Sequence, residues 1–181
     1  MSDQLFIVDF SRCTGCGACL IACKDRADVP DDIDLLRIES TECGVFPIPQ
    51  VTHRPVHCFH CVHAPCVAVC PVDALSHAEQ GFVYLDTEAC VGCGRCAEVC
   101  PFDAIAVLPD GTAVKCDGCA DEVARGMEPT CVRACPLRAL GYVSSEAPLP
   151  GGRIVDTEER KADATPRVLY LRRECSIGSA N

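Results

Sequence analysis

The chain has no tryptophan, two methionines, six Phe and three Tyr among its 181 residues. Large aromatic side chains usually supply much of a core's buried area, so an interior built mainly on them is excluded. The 49% hydrophobic share includes 18 cysteines, and without them it falls to about 39%, thin for ordinary apolar packing. Basic residues are also scarce, 16 against 26 acidic, for a formal charge of −10. A nucleic-acid surface needs clustered Lys and Arg to neutralise phosphates, so none is expected. No run approaches the roughly 18–20 consecutive apolar residues of a membrane span. Met1-Ser-Asp-Gln4 leads straight into Leu5-Phe-Ile-Val8 with no basic stretch, long apolar stretch or twin arginine, which reads as a cytoplasmic chain. Export with a signal-bearing partner is compatible with that reading.

What the chain has in excess is cysteine, about one residue in ten. Sixteen of the eighteen fall into four groups. Cys13, Cys16, Cys19, Cys23 and Cys90, Cys93, Cys96, Cys100 follow C-x2-C-x2-C-x3-C. Cys58, Cys61, Cys66, Cys70 follow C-x2-C-x4-C-x3-C, and Cys116, Cys119, Cys131, Cys135 follow C-x2-C-x11-C-x3-C. Pro71, Pro101 and Pro136 directly follow three of the groups. Three closely spaced thiolates on one loop suit three irons of a cubane, and in two-cluster ferredoxins the fourth cysteine, before proline, ligates the other cluster. The groups therefore work in pairs.

Other cysteine chemistries fit less well. Disulfide frameworks belong to small secreted domains. Zinc takes four ligands, usually from separated pairs, and these runs would over-supply it. A radical-generating cluster enzyme needs one such loop and a large substrate-holding barrel. Four [4Fe–4S] clusters remain the expectation.

An internal repeat gives the local fold. Cys70-Pro-Val-Asp-Ala-Leu75, Cys100-Pro-Phe-Asp-Ala-Ile105 and Cys135-Pro-Leu-Arg-Ala-Leu140 share one pattern. Phe6–Asp9 and Val83–Asp86 read as short strands, each ending in Asp four residues before a cysteine group. Ala104–Val107 and Ala113–Val114 flank the turn Pro109-Asp-Gly111 and predict a hairpin. Short hairpins and helices around cubanes imply an α+β, ferredoxin-like fold.

These groups, in this order, resemble the four-cluster electron-transfer subunit of the dimethyl sulfoxide reductase and formate dehydrogenase type over about residues 3–143. Further phrases agree: Cys13-Thr-Gly-Cys-Gly-Ala-Cys-Leu-Ile-Ala-Cys23, Arg54-Pro-Val-His-Cys58, Ala64-Pro-Cys66, Lys115-Cys-Asp-Gly-Cys119 and Pro129-Thr-Cys-Val132. The chain is also similar to small iron–sulfur proteins of hydrogenase, carbon monoxide dehydrogenase and tungsten aldehyde oxidoreductase systems. The resemblance implies two pseudo-symmetric two-cluster halves, 1–23 with 110–143 and 51–109, an insertion at 24–50 and a tail at 144–181. It implies one cluster on Cys13, Cys16, Cys19 and Cys135, and a neighbour on Cys116, Cys119, Cys131 and Cys23. In the second half it implies Cys58, Cys61, Cys66 with Cys100, and Cys90, Cys93, Cys96 with Cys70. The group before Lys24 lacks its proline, as is common in this family's first group, and every ligand position is Cys, so four cubanes are expected.

The implied function is a non-catalytic electron-transfer subunit of an oxidoreductase. Its implied partner is a large catalytic subunit, molybdenum- or tungsten-pterin containing, with a further redox subunit as an additional acceptor. A free polyferredoxin-type carrier for hydrogenase or carbon monoxide dehydrogenase is the alternative. Each oxidised cubane on four thiolates carries about −2, bringing the loaded chain to about −18 and favouring a positively charged partner face.

Gly15, Gly17, Gly92, Gly94 and Gly118 lie between ligands and free the loops to bring N–H groups to sulfur. Lys24, Arg95, Lys115 and Arg133 adjoin ligands and read as solvated surface cations. His57, His60 and His63 read as hydrogen-bonded or surface side chains, since the adjacent cysteines complete a ligand set. Cys43 and Cys175, outside the quartets, read as ordinary thiols. The 24–50 insertion reads as loop-rich, and Arg167–Leu171 as a strand in a tail that wraps a partner or joins copies of the chain.

Overall fold

Phe6, Ile7 and Val8 are β-formers preceding a turn, and they form the centre of β1 (Gln4–Asp9). The computed structural model describes residues 4–78, 81–149, 154–156 and 164–172. Cys175 and the charged Glu158-Glu-Arg-Lys161 lie outside the described residues. Elements follow in the order α1 (Ala18–Ala27), β2 (Leu36–Cys43), β3 (Gln50–His57), α2 (Pro65–Val69), β4 (Leu75–His77) and β5 (Val83–Leu85). They continue with α3 (Arg95–Glu98), β6 (Ile105–Val107), β7 (Ala113–Lys115), α4 (Ala120–Ala124), α5 (Thr130–Ala134), β8 (Leu140–Ser144), β9 (Ile154–Asp156) and β10 (Val168–Arg172). This is a mixed α+β fold of short elements. Among the described residues no helix is long and apolar enough to cross a membrane.

The main sheet has the order β8-β1-β10-β9. β1 runs antiparallel to β8, with Phe6 opposite Tyr142, and parallel to β10, with Val8 opposite Tyr170. β10 is thus part of the core: Val168, Tyr170 and Leu171 are buried, and the Tyr170 hydroxyl donates to the Pro55 carbonyl at 3.2 Å. The strand expected at Arg167–Leu171 forms as β10, and it lies inside the chain's own sheet, its backbone edges paired with β1 and β9. The preceding residues fasten it to the second cysteine loop: Val62 N–H donates to Thr165, His63 N–H to Ala164, and Arg167 N–H to Phe59.

The insertion differs from its loop-rich reading. β2 and β3 form the longest hairpin among the described residues, in register from Leu36 opposite His57 to Cys43 opposite Gln50. Its base is buried through Leu36 and Val56, while Val45, Phe46 and Ile48 protrude at its tip. The hairpins β4–β5 and β6–β7 complete the sheets. The few aromatics concentrate between the cysteine groups. Phe59 stacks on Phe102 at 3.8 Å between centroids, and Phe6 touches His57 (4.6 Å), Tyr142 (5.4 Å) and Phe82 (5.9 Å).

Candidate metal centres

Helix pairing decides which cysteines meet. α1 packs on α5 and α2 on α3. α1 carries Cys19 and Cys23; α5 carries Cys131, with Cys135 as its C-cap. α2 carries Cys66, capped by Cys70, and α3 carries Cys96. Each contact therefore joins cysteines remote in sequence.

Three hollows result. One is lined by Cys13, Cys16, Cys19 and Cys135 with Pro136. A second is lined by Cys23, Cys116, Cys119 and Cys131. A third is lined by Cys70, Cys90, Cys93 and Cys96. The remaining four also lie together: burial first, then Cys58, Cys66 and Cys100, push the Cys61 thiol up to about 12. None of these sixteen cysteines is in a disulfide.

The repeated Cys-Pro-x-x-Ala phrase explains itself here. The Ala139 N–H donates to Cys135 Sγ at 3.2 Å and Ala104 N–H to Cys100 Sγ at 3.4 Å. Burial raises the Cys70 thiol, but backbone N–H groups of Val72, Leu75 and Ala74 outweigh it and hold the thiol below its usual range. The residue before each alanine takes a left-handed conformation, Asp73 at φ 53°, Asp103 at 49° and Arg138 at 53°, which turns the following N–H back to sulfur. In the Cys-x-x-Cys loops, Gly118 N–H likewise donates to Cys116 Sγ at 3.4 Å. Asp9 and Asp86, the aspartates four residues ahead of their groups, accept from the backbones of Ser11 and Glu88 and set the turns into the loops.

The donor chemistry fits iron–sulfur clusters. Burial, then neighbouring thiolates, push Cys19 to about 11, Cys116 well above its ordinary value and Cys131 up as well. Bare thiolates would repel one another here, whereas iron both deprotonates and neutralises them. Backbone N–H groups aimed at sulfur favour the charged state.

Residues around the ligands depart from the sequence reading in two places. Lys115, read as a solvated cation, is 6% exposed; its ammonium donates to the Cys116 carbonyl at 2.6 Å and to the Val83 carbonyl. Two carbonyl acceptors and its flexible stem make burial feasible. Lys24 is half-buried, bonded to the Asp31 carbonyl (2.5 Å) and to Asp34 (2.9 Å), whereas Arg95 is exposed. Arg133 is exposed and paired with Glu122 at 2.6 Å. Sequence reasoning missed Arg26. Its guanidinium forms a two-pronged bond with Asp117, 3.0 Å on each side, and also reaches Asp121, tying α1 to the Cys116–Cys119 loop. Its only sequence signal was a position three residues beyond a ligand.

His63 is exposed, while His57 and His60 are buried and hydrogen-bonded, as read. Burial holds His57 down to about 4 and His60 well below its usual range, so both rings are neutral. Their ring nitrogens and Cys116 Sγ come within 4.8 Å of one another.

Comparison with known proteins agrees with this chemistry. Residues 49–144 match the family described as a 4Fe-4S dicluster domain, and residues 6–27 a 4Fe-4S binding domain. The chain is similar to a chain of the anaerobic dimethyl sulfoxide reductase of Escherichia coli K12, 40% identical over 76% of this chain and 71% of that one. It is similar to the thiosulfate reductase electron transfer subunit PhsB of Salmonella typhi, 39% identical over 99% of this chain and 91% of that one. A Halobacterium salinarum protein named as a dimethyl sulfoxide reductase iron-sulfur subunit is 31% identical over 77% of this chain and 65% of its own length. The sixteen grouped cysteines are enough for four [4Fe–4S] clusters, and the chain belongs to the family of 4Fe–4S dicluster proteins that serve as non-catalytic electron-transfer subunits of oxidoreductases.

Proposed function

We propose that four ligand sets hold the clusters: Cys13, Cys16, Cys19, Cys135; Cys23, Cys116, Cys119, Cys131; Cys58, Cys61, Cys66, Cys100; and Cys70, Cys90, Cys93, Cys96. The observation that carries this is the lining of three hollows by three of these sets, each mixing two sequence groups. The chain is then two pseudo-symmetric halves, 1–23 with 110–143 and 51–109, supported by the paired helices α1–α5 and α2–α3. The 24–50 segment and the 144–181 tail are additions to them.

When bound, each cluster supplies a one-electron couple whose potential is set by charge, solvent and hydrogen bonds to sulfur. The chain's residues do the setting: Ala104, Ala139 and Gly118 present N–H groups to sulfur, and Phe59, Phe102 and Phe82 exclude water between the groups. No side chain here needs to act as acid or base.

The partner is a large catalytic oxidoreductase subunit with a molybdenum- or tungsten-pterin centre, and the complex assembles in the cytoplasm. Support comes from relatives named as a chain of one reductase and as the electron transfer subunit of another. The test is anaerobic purification of the native complex with analysis of all metals. Stoichiometric molybdenum or tungsten with a large co-purifying chain is expected. Iron alone, or iron with nickel, would replace this reading with that of a diffusing carrier.

A further inference from the structure

The four Cys-x-x-Cys loops share a backbone device that one of them breaks. The residue two after the leading cysteine has positive φ in all four: Gly15 at 69°, Gly92 at 69°, Gly118 at 69°, and His60 at 45°. Three use glycine, which adopts this conformation freely. A histidine there gives up the glycine's conformational freedom, which directs attention to its side chain.

The ring is fully buried and oriented from one side. Val83 N–H donates to His60 Nδ1 at 3.1 Å, which makes Nδ1 the acceptor and places the ring proton on Nε2. His57 is the opposite tautomer, because its Nδ1 donates to the Cys58 carbonyl at 2.7 Å. Among the described residues neither Nε2 has a hydrogen-bond partner. A buried donor left unpaired is costly, and Cys116 Sγ lies within 4.8 Å of a His60 ring nitrogen.

The surroundings lock this placement. Lys115 grips the carbonyl of Val83, the residue whose N–H orients His60, and also the carbonyl of Cys116. His60, Val83, Lys115 and Cys116 are therefore joined in one chain of hydrogen bonds and a peptide link, with His60 at one end and Cys116 at the other. Phe82 meets the His60 ring edge-on at 4.9 Å and seals it from water. His60 is joined by one peptide bond to Cys61, of the second cysteine group, whereas Cys116 belongs to the fourth.

We propose that His60 donates its Nε2–H to the Cys116 thiolate in the loaded protein. It is a positioning residue that links the ligand shells of two clusters in different halves and raises the potential of the cluster held by Cys116. This rests on the ligand sets proposed above. A hydrogen bond to a ligand sulfur stabilises the more negative, reduced state, so its loss lowers the potential.

The test uses the cluster-loaded full chain labelled with ¹⁵N-histidine, wild type beside His60→Gly, His60→Gln and, as a control, His63→Gly. His60→Gly suits the left-handed backbone, and His60→Gln retains an N–H donor on a similar reach. Pulsed EPR of the reduced wild type shows a histidine ¹⁵N coupling, kept in the His63 variant and lost in His60→Gly. Redox titration of His60→Gly shows one couple shifted to lower potential by about tenfold in its equilibrium, about 59 mV for one electron, partly restored in His60→Gln. Absence of the coupling in wild type, its persistence in His60→Gly, or an equal shift of all couples would overturn the proposal. So would one non-iron metal ion per chain that disappears with His60. If neither His60 variant loads clusters, His57→Phe decides: the coupling persists there if it comes from His60, and its loss would overturn the proposal. A wild-type iron content short of four clusters would instead overturn the ligand sets, which separates the two failures.

Discussion

Replacing Arg26 by alanine isolates the link between α1 and the fourth cysteine group. The guanidinium holds Asp117 through two 3.0 Å bonds and also binds Asp121, while Asp117 accepts the Cys119 N–H at 2.9 Å. The single side chain thus positions Cys23 on one element and Cys119 on another. Hydrogen bonds to charged groups contribute about 1.5–3 kcal/mol at best. The Arg26 side chain is 22% exposed and that of Asp117 42%, so solvent screening brings the expectation to about 1–2 kcal/mol. If cluster loss requires α1 to lift from the loop, Arg26→Ala accelerates it by roughly 5–30-fold. Arg26→Lys keeps the charge, loses the fork and lies between. The assay is the decay of visible absorbance and release of iron to a chelator under anaerobic conditions. The arginine bond, its largest influence, lowers the Asp121 carboxyl below its ordinary range. A depressed carboxylate stabilises the fold above its unfolded pKa and loses that contribution as pH falls through the folded one. The gap between wild type and Arg26→Ala is therefore constant from about pH 8 to about pH 5, and shrinks with added salt. Equal decay of the two proteins at low salt would refute this account of α1.

Three further outcomes follow from the packing. Gly118→Ala places a Cβ 2.8 Å from the Phe82 ring, whereas a Cβ at Gly17 meets nothing within 4 Å; both incur the left-handed cost, and overpacking adds about 1–3 kcal/mol at Gly118 alone. Comparative denaturation of the loaded variants checks that ordering. Tyr170→Ala removes a buried ring that stacks on Phe10 at 5.2 Å and costs about 3–5 kcal/mol, while Tyr170→Phe keeps the ring and loses the bond to Pro55, about 1 kcal/mol; equal effects would show that β10 does not anchor the core. Removing iron with a chelator collapses the fold, seen as loss of circular dichroism, because the grouped thiols lose the ions that bind them together; an unchanged spectrum would contradict the iron-dependent core.

The cysteine spacing was legible because cluster chemistry demands it, and so were β1, β5 and the β6–β7 hairpin, whose short apolar runs end in turn residues. The β2–β3 hairpin was not. Outward from Ser40, both of its strands are mostly exposed and polar, and Pro47, Pro49 and Pro55 interrupt the pattern, so no alternation marks it. The place of β10 depends on parallel pairing with a strand some 160 residues earlier, which local sequence cannot encode. Lys115 and His60 were misjudged or undervalued for a related reason. Their environment is created by Val83 and Cys116, which only the tertiary fold brings to them.

The most direct test of the central claim is the crossing of the ligand sets, read by EPR and iron content of single-cysteine variants of the loaded chain. Wild type should bind about sixteen irons. Cys135→Ala is predicted to perturb the same EPR signal as Cys13→Ala, and Cys23→Ala the same signal as Cys119→Ala, with the other signals intact. Cys23→Ala and Cys13→Ala acting on one common signal would contradict the crossed arrangement and return each cluster to a single sequence group.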